Sequence, residues 1–197
     1  MKTEPPNEMG LMEAIFQRRA VRRYSDRAVE PATVEKLLAA AAQAPSAMNA
    51  QPWVFAVFHG HRLLRDLAER AKQHLVATYP TSFEVHSRVE MYENPNYDIF
   101  HGADTLIVIY ATAGRLNPNE DCCLAAENLM LAAHGLGVGT CPIGFARPWL
   151  DLPETKRELG VPGQYSAVFP VVAGYPAGHT EPTPRDAPNI VTWKWEA

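Results

Sequence analysis

Three cysteines in 197 residues, two of them the adjacent pair Cys122-Cys123, cannot close a complete disulfide framework, and no CxxC spacing points to zinc. They fit small buried residues of a chain in a reducing, cytoplasmic compartment. The seven histidines are scattered without an HExxH or similar ligand pair, so no metal site is expected. Long apolar runs are also missing. The longest, Leu106 to Ala113, is far short of the roughly 20 residues a membrane-spanning helix needs. The first twelve residues carry Glu4, Pro5, Pro6 and Glu8 where a secretory signal would have an apolar centre. There is no excess of basic charge: 18 Lys and Arg stand against 22 Asp and Glu, a net −4, which argues against nucleic-acid binding. No GxSxG elbow occurs, and Ser46 has no histidine placed by sequence to activate it, so no catalytic nucleophile is assigned.

What is present is ordinary globular composition, 47% apolar and 20% charged, in a length that reads as one domain over 1–197. The periodicity predicts a first helix over Met9 to Ala20, with Leu11, Met12, Ile15 and Phe16 on one face and arginines in its last turn and beyond. A second helix starts at Pro31 and repeats Val34, Leu37, Leu38, Ala41 and Ala42, and Ala44-Pro45 stops it. Trp53 to Phe58 and Thr105 to Tyr110 read as strands, the latter apolar enough to be covered on both faces. Arg62 to Thr78 is a third helix, and residues 79–102, without a steady period, read as a lid or excursion. Pro118 to His134 is apolar around most of its circumference, its polar residues Glu120, Asp121, Glu127, Asn128 and His134 sharing one stripe. Such a helix is buried on more than one side, at a subunit interface or at the centre of a monomer. Val138 to Ile143 and Ala167 to Ala173 are further strands, and Asp151 with Glu154 reads as a capping box for a helix ending at Gly160. The proline-rich tail, 174–197, ends with Trp193 and Trp195, which want an apolar surface of their own chain or of a partner.

Two segments carry the chemistry. Arg18, Arg19, Arg22, Arg23 and Arg27 concentrate charge in ten residues. A helix terminus would use such cations for about 0.3–1 kcal/mol each, and a phosphate would take their forked donors. Pro45-Ser46-Ala47-Met48-Asn49-Ala50-Gln51-Pro52-Trp53 places a hydroxyl and two primary amides beside an indole, a set able to read the edge of a heteroaromatic ring or to form an ordinary turn. Together they suit a flat, phosphorylated cofactor, with flavin mononucleotide as the candidate. The glycines Gly135, Gly137 and Gly139 follow a helix instead of opening one and have the wrong spacing for a dinucleotide fingerprint. Gly135 and Gly137 read as helix caps, and Gly144 as a point of close approach to a ligand.

On the residues Arg18-Arg19-Ala20-Val21-Arg22, the segment Ala44 to Trp53, Asp121 to Gly144 and Val171-Val172-Ala173-Gly174-Tyr175-Pro176, the chain resembles the nitroreductase family of FMN-dependent oxidoreductases. The resemblance implies an α+β fold, a mixed, mostly antiparallel sheet flanked by helices, assembled as an intertwined homodimer whose tails wrap the partner and whose FMN sites lie at the interface. It implies FMN phosphate and ribityl contacts from Arg18, Arg19, Ala20 and Arg22, with Arg185 adding one from the tail. Pro45, Ser46, Ala47 and Asn49 approach from the other subunit, and Pro142, Ile143 and Gly144 lie along the isoalloxazine. Ala20 stands where the family commonly has serine. NAD(P)H is the implied reductant, and a nitroaromatic or quinone the implied small-molecule acceptor, reached in ping-pong order, with His101 edging the pocket. Enone reduction, dehalogenation and flavin storage are the alternatives on the same scaffold.

Overall fold

The computed structural model describes residues 9–78 and 91–196. Its centre is a four-stranded antiparallel sheet, β1 (Trp53–His59), β2 (Thr105–Ala111), β3 (Gly139–Pro142) and β4 (Ser166–Gly174), in the order β1-β2-β4-β3. One parallel bridge, between Ala20 and Thr140, is added at the β3 edge. All seven residues of β2 are buried, because alternate side chains feed two separate cores. Ile107, Ile109 and Ala111 pack with α2 (Pro31–Ala41) and α4 (Pro118–Gly135). Leu106, Val108 and Tyr110 pack on the other face with α3 (His61–Thr78) and Trp149 and Leu150 of the short α5 (Arg147–Leu150). A strand that is apolar throughout therefore sits in an antiparallel sheet here, since both faces are covered.

The first helix, α1, is shorter than its sequence period suggests, Leu11–Gln17, and the arginines follow it instead of closing its last turn. Its apolar face turns outward: Leu11, Met12, Ile15 and Phe16 are all exposed, Phe16 at 69%. The expected capping box at Asp151 does not form. α6 (Pro153–Glu158) begins two residues later without a side-chain cap. Asp151 instead accepts the Ala167 N–H at 3.1 Å and the Lys156 ammonium at 3.3 Å, holding the start of β4. Of the expected excursion, 79–90 lies outside the described residues, while part of 91–102 is core: Tyr92, Ile99 and Phe100 are buried. The buried Lys72 donates to Tyr97 O at 3.1 Å and ties that stretch down.

α4 ends in a Schellman arrangement. Gly137, at φ +73°, donates to His134 O and Val138 N–H donates to Ala133 O at 2.8 Å. Gly137 is thus the cap, and Gly135 is the last helical residue. The polar stripe of α4 also divides. Glu120 and Glu127 are exposed and His134 is half-buried, whereas Asp121 is buried and Asn128 donates to Ala40 O at 3.3 Å across to α2.

Candidate functional site

Past α1 the chain extends and runs beside β3. Ala20 bridges Thr140 in parallel, and Val21 N–H donates to Thr140 O at 2.9 Å. The approach is this close because position 139 is glycine. A Cβ there would lie 2.6 Å from Val21 Cγ2 and 2.8 Å from Val21 Cβ, closer than real contacts allow. One chain thereby joins the arginine segment to Pro142, Ile143 and Gly144, with Arg22 exposed beside Cys141.

At the Arg18 end lies a cavity of about 610 Å³, lined by Arg18, Arg19, Val21, His134, Thr140 and Pro182 among others. That is within the range of small-molecule sites. Arg19 Nη1 donates to Phe16 O and Arg18 O, both at 2.7 Å, capping α1, so the helix-terminus role is real for one of the five arginines. Arg18 Nε stands 3.5 Å from Glu127 Oε1, an ion pair without hydrogen-bond geometry. Arg18 Nε, Arg19 Nε and His134 Nε2 are buried with no hydrogen-bond partner. Burial first, then Arg18 and Arg19, hold the His134 imidazole below its ordinary range, with Glu13 opposing. Unpartnered buried donors of this kind suit an anion with several oxygens, as a phosphate is. Phosphate would fit here without further cations.

At the other end, Pro142 has no N–H and Ile143 donates its own to Pro170 O at 2.9 Å. Of the three residues expected to lie along the flavin ring, Gly144 is the one left as a candidate backbone donor, and a Cβ at Gly144 would meet nothing within 4 Å. Beside it, four rings form a wall. Phe145 meets Tyr92 edge-on at 5.3 Å, Tyr92 meets Tyr97 at 5.8 Å, and Tyr97 meets His101 at 6.2 Å. The Asp98 carboxylate accepts the N–H groups of Phe100 and Gly102 at 2.7 and 2.8 Å, so the turn presents His101 at φ +59°. Burial, then Arg22, lowers the His101 pKa against Asp98.

The loop before β1 is strained. Ala47–Asn49 is a single 3₁₀ turn, and Met48, Asn49 and Gln51 have φ of +54°, +53° and +45°. For an L-residue other than glycine this conformation costs roughly 1–2 kcal/mol. Ser46 Oγ accepts the Gln51 N–H at 2.9 Å, and Asn49 Oδ1 accepts from Gln51 Nε2 at 3.2 Å, so the two amides read as a ring-edge pair bond to each other. The Ala47 N–H donates to both oxygens of Asp121, at 3.3 and 3.2 Å. Asp121 is the residue that sequence reasoning missed. Its signal was an acid in the first turn of an otherwise apolar helix.

The loop and the arginine cavity do not meet within one chain. Asp121 marks the first and His134 the second, thirteen positions apart on α4, which is about 20 Å along the axis. Among the described residues, Arg185 donates to the Thr183 and Pro184 carbonyls of its own tail, at 3.5 and 3.3 Å, and does not line the cavity, although Pro182 does.

The sequence profile of the Nitroreductase family matches residues 15–175. An Archaeoglobus fulgidus protein named "Putative NADH dehydrogenase/NAD(P)H nitroreductase" is 32% identical over 166 residues, covering 84% of each chain. The 4-nitrobenzoate reductase of a Nocardioides species is 28% identical, over 91% of this chain and 87% of its own. Among solved structures, the nitroreductase with bound FMN from Bacteroides fragilis superposes with a TM-score of 0.80 at 28% identity, over 93% of this chain and 98% of that one.

Proposed function

Since this chain belongs to the nitroreductase family of flavin oxidoreductases, we propose that it works as a homodimeric, FMN-dependent NAD(P)H oxidoreductase that reduces a nitroaromatic or quinone acceptor. FMN, when bound, supplies the hydride chemistry between NAD(P)H and that acceptor, with each substrate using the same face in turn. The observation that carries the reading is the Ala20–Thr140 bridge, which joins the arginine segment to β3, the strand that leads into Gly144.

Each residue then has a role on this chain. Arg18 and Arg19 hold the phosphate with the nitrogens that are buried without partners. The Ala20 backbone follows the ribityl chain. Arg22 offsets negative charge on the pyrimidine side of the ring. Gly144 N–H orients the ring, and Pro142 and Ile143 pack along it. Arg185 reaches the phosphate when the tail is seated. Phe145, Tyr92, Tyr97 and His101 wall the acceptor pocket, and no side chain acts as nucleophile or general acid.

Pro45, Ser46, Ala47 and Asn49 close the site from the second subunit. The separation of the two half-sites along α4 supports this, as does the outward apolar face of α1. The tail supports it too: Val191 and Trp193 are 95% and 70% exposed, and Trp193 stacks with Trp195 at 6.3 Å. Each tail crosses to the other subunit, where β1, an edge strand of the sheet among the described residues, offers it backbone groups to pair with. No helix among the described residues is long and apolar enough to cross a membrane, and we place the dimer in the cytoplasm. The test is the absorbance spectrum of the purified protein, followed by anaerobic titration with NADH and with NADPH. A yellow protein bleached by either and reoxidised by a quinone is expected. A protein that takes up no FMN refutes the reading, and one that binds FMN but is reduced by neither nucleotide is a flavin store.

A further inference from the structure

We propose that Asp121 is a positioning residue for the flavin, acting through the backbone of Ala47 on the site it shares with the partner subunit. The proposal rests on the homodimeric FMN reading above. Its basis is geometric. A carboxylate only 5% exposed is expensive to bury and is kept where something answers it. At this position the answer is the Ala47 N–H, within 3.3 Å of both carboxylate oxygens, together with the positive end of α4, in whose first turn Asp121 lies.

Ala47 heads the turn that contains Met48 and Asn49 at positive φ, and Gln51, also at positive φ, is bonded back to Ser46. Backbone of this kind persists only where its surroundings over-determine it. The side-chain bonds made by Ser46 and Asn49 are internal to the loop. The Asp121 tie fastens the loop to a helix. Because Ala47 has no polar side chain, what Asp121 transmits is position, not charge on a ligand. Without the carboxylate the loop is free to leave its left-handed shape, and the surface it offers the partner's flavin is lost.

The test is FMN affinity, measured by quenching of flavin fluorescence on the apoprotein, with dimerisation followed by sedimentation. Asp121→Leu is expected to weaken FMN binding at least tenfold while the dimer persists, and Asp121→Asn, which retains one acceptor oxygen, to lie between it and wild type. Ala47→Pro removes the same bond from the loop side, at a place where Ser46 is already extended (φ −145°, ψ 153°), as a residue before proline prefers. The double variant is expected to bind no worse than either single one, the mark of a shared interaction. This cycle also keeps the proposal testable if Asp121→Leu alone folds poorly. Mixed dimers of an Asp121→Leu chain with an Arg18→Ala chain are expected to recover one site of wild-type affinity, half a flavin per chain, because one of the two sites receives both intact halves. Additive losses, or Asp121→Leu binding as tightly as wild type, would overturn the positioning role. Absence of a recovered site in dimeric mixtures would overturn its action across the interface. Failure of the wild-type chain to bind FMN would instead refute the functional reading.

Discussion

Five arginines in ten positions stand out against an acidic chain, yet they do different things. Arg19 caps α1, Arg27 stacks on Tyr175 at 3.7 Å, and Arg18 reaches the cavity with an unpartnered Nε. Truncating Arg18 to alanine is expected to weaken FMN binding about 10- to 100-fold, the value of one charge-assisted hydrogen bond, as read by fluorescence titration. Asp121 was not legible because one acid on a helix looks like a solvated face until the loop it holds is seen. Glu30 gives a pH prediction. Bonds from Tyr175 OH at 2.7 Å and Arg27 at 2.9 Å lower its carboxyl from the ordinary 4.5 to about 2. A lowered pKa means that the contribution is complete above 4.5 and lost as pH falls from there through 2. The difference in melting temperature between wild type and Glu30→Gln should therefore be constant from pH 7 to 5 and shrink below 4.5.

Apart from α1, which is shorter than its period suggests, elements such as α3, α4 and β2 were readable to within a residue or two. β2 was found because its run of apolar side chains has one physical explanation, burial on both faces, and α2 because Pro31 and Ala44-Pro45 mark its ends. The helix before Gly160 is present, but the capping box read at Asp151 and Glu154 was wrong, because Asp151 serves β4 across the fold, a long-range use that local spacing does not reveal. The contact of the arginine segment with β3 was equally invisible, since it depends on what Gly139 lacks. Gly139→Ala should push Val21 off β3 and lower both the melting temperature and FMN affinity, as read by calorimetry and titration. Val21→Ala alone should be milder. Because Val21 Cβ itself lies 2.8 Å from where an alanine methyl at 139 would sit, the pair Val21→Gly with Gly139→Ala should recover more affinity than Val21→Ala with Gly139→Ala.

For the molecule as a whole, the sequence left α4 at a subunit interface or at the centre of a monomer, and among the described residues α1 and the tail carry much of the exposed apolar surface. On the shared site proposed above, Phe16→Glu should shift the protein toward monomer in sedimentation and strip its flavin in the same step. α4 adds a last consequence. Its rigid length works as a gauge between the two half-sites proposed above, with Asp121 at one end and His134 at the other. Adding a helical turn would move one end by about 5.4 Å relative to the other, and the two ends could not both stay seated.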